Sequence, residues 1–314
     1  MSAKKVTIIT ACYNGERYLK NYFLGLNNQK YENIEVIFVD DGSKDKTKQI
    51  CDIESKKLNK NIKFNYYYQE NAGVVKAINT GLSKELGDYI ILLDSDDILL
   101  EDAVGEKVKF LEENLEYGMV YNDAFVVHEK DVSKVLNELS AVREHYSGNV
   151  YEKLLTTFFM TPGTYCMRKE AFLNAFPNKK LDEEQHGQNW QIAIEIAYRY
   201  KVGYIDKPLM KYVVRENSLS HKQYKEGCSS QLKYIIEDEK IVNKYLQKYG
   251  CSDNTKSEIK NNFQIRRFNL FYQFKMKEEG IKSYSEIDNE YKNMRMRIKY
   301  FVLKYMPLLI TRNI

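Results

Sequence analysis

The stretch Tyr89-Ile90-Ile91-Leu92-Leu93-Asp94-Ser95-Asp96-Asp97 sets five apolar or aromatic residues directly against an acidic turn. A short unbroken apolar run of this kind suits a strand buried on both faces, and the abrupt change to carboxylates marks where it surfaces. Working outward, similar runs predict strands at Val6–Thr10, Ile34–Val39, Ile62–Tyr68 and Met119–Val127. Between them, apolar residues at three- and four-residue spacing predict helices at Tyr18–Asn28, Lys46–Leu58, Val74–Leu86 and Ala103–Glu113. Alternating strands and helices predict an α/β fold: a Rossmann-like, doubly wound and mostly parallel central sheet with flanking helices.

In such sheets ligands gather outside the carboxyl ends of the strands. The residues there are Thr10 to Gly15 after the first strand, Asp40-Asp41-Gly42-Ser43 after the second, and Asp94 to Asp97 after the fourth. Closely spaced carboxylates repel one another unless a cation compensates them, and hard oxygen ligands suit Mg²⁺ or Mn²⁺ bridging a diphosphate. The same aspartates also suit a polar turn capping the next helix. Asp40 and Asp41 could accept a hydrogen bond from a base N–H or simply form an Asp-Gly turn; Tyr13 could stack on that base or pack. Asn71, Gly73, Lys76 and Asn79 open the third predicted helix, whose N-terminus favours anions, so Lys76 is a candidate diphosphate contact as well as an ordinary solvated lysine.

With 314 residues, 43% of them hydrophobic and 29% charged, the chain is long enough for a large folded domain with an appendage. Five scattered cysteines without a CxxC pair suggest reduced thiols and a cytoplasmic setting, not a disulfide framework or a zinc cluster. Lys4 and Lys5 precede an apolar run from Val6 to Ile9 that is too short for a signal or a membrane span. From Tyr291 onward stand six basic residues, Lys292, Arg295, Arg297, Lys299, Lys304 and Arg312, and no acidic one; the net charge of +4 therefore belongs to the tail. A slightly acidic body without a basic stripe argues against nucleic acid as a partner. Beyond about Lys222 strand alternation gives way to Lys-, Glu- and Tyr-rich helical sequence.

Taken in order and at their spacings, Val6–Asn14, Ile37–Ser43, Gln69–Leu82 and Tyr89–Asp97 resemble the family 2 glycosyltransferases of the GT-A fold, with weaker likeness as far as His221. The resemblance implies an enzyme of bacterial polysaccharide or glycoconjugate assembly, moving one sugar from a nucleotide diphosphate donor, usually a UDP-sugar, with inversion and a divalent metal. It implies that Ala11, Tyr13, Asp41 and its neighbour Asp40 hold the uridine. It places Asp96 near ribose and metal, and Asp94 or Asp97 completes the acidic set. Arg215 and His221 resemble groups that fold over the diphosphate, the imidazole joining the metal's ligands. The expected organisation is a GT-A domain over residues 1–221, with a nucleotide-sugar half at 1–127 and an acceptor half at 150–221, then a helical region at 222–314.

One position departs from the pattern. Where the family commonly carries its catalytic carboxylate, this chain reads Gly187-Gln188-Asn189-Trp190, and an amide cannot take a proton from an acceptor hydroxyl. The nearest substitutes are Asp182, Glu183, Glu184 and His186, of which Asp182 or Glu183 is favoured, although the stretch equally suits a solvated loop. Trp190 could stack an acceptor sugar or pack with Ile194 and Ala197. Asn189 keeps open a nucleotide-sugar-binding protein without transferase activity; a dinucleotide enzyme lacks its GxGxxG, since Tyr13-Asn14-Gly15 stand there. In the tail, Ile298, Phe301, Val302, Tyr305 and Met306 at helical spacing among cations predict either peripheral membrane contact, near a lipid-linked acceptor, or packing on the protein itself.

Overall fold

The computed structural model describes residues 3–183, 187–215 and 227–307. It divides into two compact units, Met1–Leu154 with Phe158–Val214, and Leu155–Thr157 with Arg215–Ile314.

In the first unit, β1 (Val6–Cys12), β2 (Ile34–Asp41), β3 (Ile62–Gln69) and β4 (Tyr89–Leu92) lie parallel in the order β3-β2-β1-β4. Between them run α1 (Leu19–Asn27), α2 (Thr47–Glu54) and α3 (Val74–Leu82), as the periodicity predicts. β1, β2 and β4 are held by burial on both faces, Ile8, Val36, Phe38 and Ile91 being fully enclosed, while β3 at the sheet edge is mostly half-buried. On α1, Leu19, Tyr22, Phe23 and Leu26 recur at three- and four-residue spacing and are buried; each such side chain contributes roughly 1.5–3 kcal/mol. Tyr22 and Phe23 meet Phe38 and Phe64 in edge and tilted ring contacts that fasten this helix to the sheet.

The sheet continues past β4 as a mixed structure. A short β5 (Ile98–Leu99) leads to α4 (Ala103–Glu113) and the long β6 (Tyr117–His128), whose hairpin partner is β7 (Asp131–Glu138). After α5 (Tyr151–Thr156) come β8 (Tyr165–Arg168), α6 (Lys169–Ala175), α7 (Gln188–Arg199) and β9 (Lys201–Val214). β8 pairs antiparallel with both β4 and β6, and β9 runs parallel to β6. β9 also pairs antiparallel with β5, Ile98 opposite Lys211, which carries its far end to the acidic turn after β4.

Lys107 of α4 is wholly buried, and its Nζ donates to the Gly163 carbonyl at 2.7 Å. Burial pushes its ammonium down to about 8. Gly163 has φ +79, and its N–H reaches the Leu92 carbonyl, so one buried lysine holds the Thr161–Thr164 turn against the end of β4.

The second unit contains α8 (Cys228–Tyr249), α9 (Asp253–Gln273), α10 (Lys277–Ser285) and α11 (Met294–Tyr305). Ser252 and Asn293 cap α9 and α11, each accepting a backbone N–H with its side chain. Phe268, Ile287, Met296 and Leu303 form the core of this unit, and Gly280 lets Leu303 approach. Among the described residues no helix is long and apolar enough to cross a membrane.

Candidate active site

The loops after β1 and β2 are tied to each other. Ser43 Oγ accepts the Asn14 N–H at 2.8 Å, Asn14 Oδ1 accepts the Lys44 N–H at 2.9 Å, and Thr47 Oγ1 accepts the Gly15 N–H at 2.8 Å. Asn14 sits at φ +54, a left-handed conformation that asparagine tolerates better than most residues. These bonds give the two loops one shared geometry, and beside them the Tyr13 ring stands 51% exposed, available to a planar ligand.

Beneath lie two buried carboxylates. Asp40 accepts the Ser43 N–H at 2.8 Å and the Tyr66 hydroxyl. Burial, and then donation to Asp40, pushes the Tyr66 phenol upward. Asp41 accepts Gln69 Nε2 at 2.7 Å and the N–H groups of Ala72 and Gly73 at 2.9 Å, while its carbonyl accepts Asn71 Nδ2 at 2.9 Å. Asp41 thus builds the turn that starts α3 and orients Asn71. A carboxylate offers about four acceptor sites, so about one is left for a ligand.

Gly42 lies between these loops at φ +78, and a Cβ there would come within 2.6 Å of the Asn71 nitrogen. Backbone cannot yield as a flexible side chain can. Gly42→Ala is expected to destabilise the protein by about 1–3 kcal/mol and to weaken nucleotide binding, both read by thermal unfolding with and without ligand.

The acidic turn after β4 closes the same rim. Burial pushes the Cys12 thiol up to about 12; a hydrogen bond with Ser95 opposes this, while the charges of Asp40, Asp45 and Asp96 add to it. That thiol therefore registers the ends of β1, β2 and β4 together. Burial likewise raises the Tyr165 phenol, helped by the charge of Asp94. Asp94, Ser95 and Asp96 are half-buried. Asp97 is 2% exposed and accepts the Val213 N–H at 2.9 Å, fastening the turn to β9.

No cluster of three or more His, Cys, Asp or Glu side chains able to hold a metal ion occurs among the described residues. Asp94 and Asp96, half-buried on one turn, are hard oxygen donors of the kind Mg²⁺ and Mn²⁺ accept.

Beside Asp41, a cleft of about 510 Å³ runs along α3, lined by Gln69, Ala72, Lys76, Asn79, Thr80 and Glu183 among others. Asn79 is buried; its amide donates to Leu181 O and Glu183 Oε1 at 3.1 Å and accepts the Leu181 N–H at 2.8 Å. From the other side, buried Gln191 of α7 exchanges hydrogen bonds with the Asp182 backbone. Asp182 and Glu183 are therefore fixed between α3 and α7. The Asn79 amide and the Lys180 ammonium hold Glu183 below the usual carboxylate range.

Asn189 accepts the Tyr165 hydroxyl at 2.5 Å. Trp190 is 9% exposed and donates to Leu154 O at 2.6 Å, so it packs in the core. Arg215, half-buried, follows directly on β9 and begins the second unit's long segment. Glu184, His186 and His221 lie outside the described residues. Sequence reasoning missed Tyr66, Gln69, Gln191 and the buried Lys107. For Gln69 a signal existed: it closes β3 in register with Asp41.

A sheet parallel on one side and mixed on the other, with the polar loops after β1, β2 and β4 beyond its strand ends, is an architecture of GT-A type. The glycosyl transferase family 2 profile matches residues 7–176, more than half of the chain, and the chain belongs to that family. It is similar to the glycosyltransferase GlyA of Streptococcus pneumoniae, 30% identical over 234 residues that cover 69% of this chain and 31% of that protein. Against Staphylococcus aureus TarS in complex with UDP-GlcNAc the TM-score is 0.65 at 18% identity, over 95% of this chain and 89% of that one. Against the Pyrobaculum calidifontis mannosyltransferase PcManGT in complex with GDP-Man and Mn²⁺ it is 0.61 at 13% identity, over 98% and 83%. These likenesses establish the fold. The chain spans between about a third and a half of the length of the first curated relatives it matches.

Proposed function

We propose that this enzyme transfers one sugar from a UDP-sugar to a glycan or lipid-linked saccharide, with inversion and assisted by Mn²⁺ or Mg²⁺. The observation that carries the reading is the convergence of exposed Tyr13, the Asp41-built turn and half-buried Asp96 on one rim. TarS with UDP-GlcNAc and PcManGT with GDP-Man and Mn²⁺ support a nucleotide-sugar donor and a metal.

On this reading Ala11 and Tyr13 frame the uracil, and Asp40 and Asp41 set the loop that reads its edge. Asn71 and Lys76 approach the diphosphate. Asp96, with Asp94 or Asp97, would hold the metal, which when bound neutralises the leaving diphosphate. Arg215 is assigned to the same diphosphate, and His221 is assigned to the metal's ligands beside it. The acceptor hydroxyl gives its proton to Asp182 or Glu183 as its oxygen bonds the anomeric carbon. The bond from that carbon to the phosphate oxygen breaks, its electron pair leaving on the nucleotide diphosphate, and attack from the opposite face inverts the configuration. Residues 1–221 would form the catalytic domain, with donor half 1–127 and acceptor half 150–221, and 222–314 the helical region. A lipid-linked acceptor would be met at the inner face of the cell membrane.

Calorimetric titration with UDP, several UDP-sugars and GDP-mannose, with and without Mn²⁺, tests the donor. Binding of one UDP-sugar is expected, tightened by at least about tenfold with Mn²⁺. Preference for the guanine nucleotide, or no uridine nucleotide bound under either condition, would overturn the UDP reading.

A further inference from the structure

The α11 helix (Met294–Tyr305) has two apolar faces, and the described residues cover one of them. Met296 and Leu303 are buried with Phe268 and Ile287, and Tyr300 and Val302 pack beside them. On the other side Met294, Ile298, Phe301 and Tyr305 follow at spacings of four, three and four. They are 72%, 58%, 54% and 61% exposed. At about 100° per residue they fall within an arc of roughly 60°, opposite the buried face. A helix face intended for water would carry charges there.

The charges stand at the borders of this stripe. On the same helical geometry Arg297 and Lys304 flank it on one side and Arg295 on the other, with Lys292 just upstream. Arg295 and Arg297 are exposed. Lys304 Nζ lies 5.3 Å from the Tyr305 ring centroid and donates to the Tyr300 hydroxyl at 3.2 Å, so it stands between the stripe and the buried face. No acidic residue occurs from Tyr291 to Pro307.

We propose that this outer face of α11 docks on an anionic lipid surface, the Met294–Ile298–Phe301–Tyr305 stripe entering the headgroup–acyl boundary and the flanking cations meeting the headgroups. Charge complementarity selects this occupant. An apolar stripe bordered on both sides by cations matches a lipid surface that supplies apolar depth and negative charge together. A symmetric pairing of two copies through this face would instead bring cations from both copies together with no acidic residue of the helix to offset them. The proposal goes beyond the transferase reading and does not depend on it, because lipid binding is measured without donor or acceptor.

The test is co-sedimentation of the whole chain with phosphatidylcholine vesicles with and without phosphatidylglycerol. Binding is expected to be at least about tenfold tighter with phosphatidylglycerol and to weaken as salt rises. Ile298→Ser with Phe301→Ser should weaken it about tenfold or more, and Arg295→Gln with Arg297→Gln should remove the preference for phosphatidylglycerol. All four side chains are exposed, so thermal unfolding and donor titration should match wild type. No vesicle binding, or equal binding by the serine variant, would overturn the proposal. So would a concentration-dependent dimer that the serine substitutions abolish without any vesicle binding, which would assign the face to a second copy.

Discussion

Asp96→Ala is expected to lower kcat/KM by between about a hundred- and a thousandfold while leaving the circular dichroism spectrum unchanged. Asp96 stands half-buried on the turn after β4, close enough for its charge to act on the Cys12 thiol beneath the β1 loop. On the proposed reading a diphosphate lies beside it, between the β1 and β4 loops. A cation shared by Asp96 and the diphosphate stabilises charge that develops only as the leaving group departs, so its loss should appear mainly in kcat. The concentration of Mn²⁺ giving half-maximal rate should rise in parallel. A change confined to KM for the donor, with the Mn²⁺ requirement intact, would reassign Asp96 to the ribose. Undiminished turnover would remove it from the site.

Asp97 supplies the contrast. Its carboxylate is buried and accepts the Val213 N–H, so Asp97→Ala should cost about 1–3 kcal/mol of stability through an orphaned buried donor. Adjacent aspartates on one turn should therefore fail differently, one in rate and the other in thermal midpoint.

β1, β2 and β4 were legible because they are buried on both faces and such strands read as unbroken apolar runs, whereas β3, the half-exposed edge strand, was legible from its aromatic and β-branched residues. Clustering of Asp40, Asp41 and Asp94 to Asp97 followed from strand polarity alone. Strands β5, β7, β8 and β9 were not legible for physical reasons. β9 carries Lys201, Asp206, Lys207, Pro208 and Lys211 and is buried only in patches, so no period-two signal survives. β7 is a hairpin arm open to solvent, and β5 is two residues long. What Asp41 does was hidden too. Its partners Ala72 and Gly73 donate through the backbone, which carries no trace in residue identity. The tryptophan at 190 was ambiguous in sequence because stacking and packing need the same ring; the bond to Leu154 O resolves it.

Asp182→Asn is expected to lower kcat by about a hundred- to ten-thousandfold with donor affinity unchanged, whereas Glu183→Gln should leave most of the activity. Both residues are held between α3 and α7 by Asn79 and Gln191, so position alone does not choose between them. The surroundings of Glu183 weigh against it as the base. Glu183 receives the Asn79 amide at 3.1 Å and pairs with Lys180 at 3.2 Å, and both partners favour its ionised form. A carboxylate so stabilised is a weaker proton acceptor, and its folded-state pKa lies below the unfolded one. Its contribution to stability is therefore present above the ordinary glutamate range and is lost as pH falls through the lowered value. That behaviour describes a fastening for the segment. On the proposed reading the base is then Asp182, whose backbone Gln191 holds. Equal losses in the two variants would make the pair one catalytic unit. A large loss in Glu183→Gln alone, with its unfolding midpoint unchanged, would move the base to Glu183 and show that the low pKa does not disqualify it.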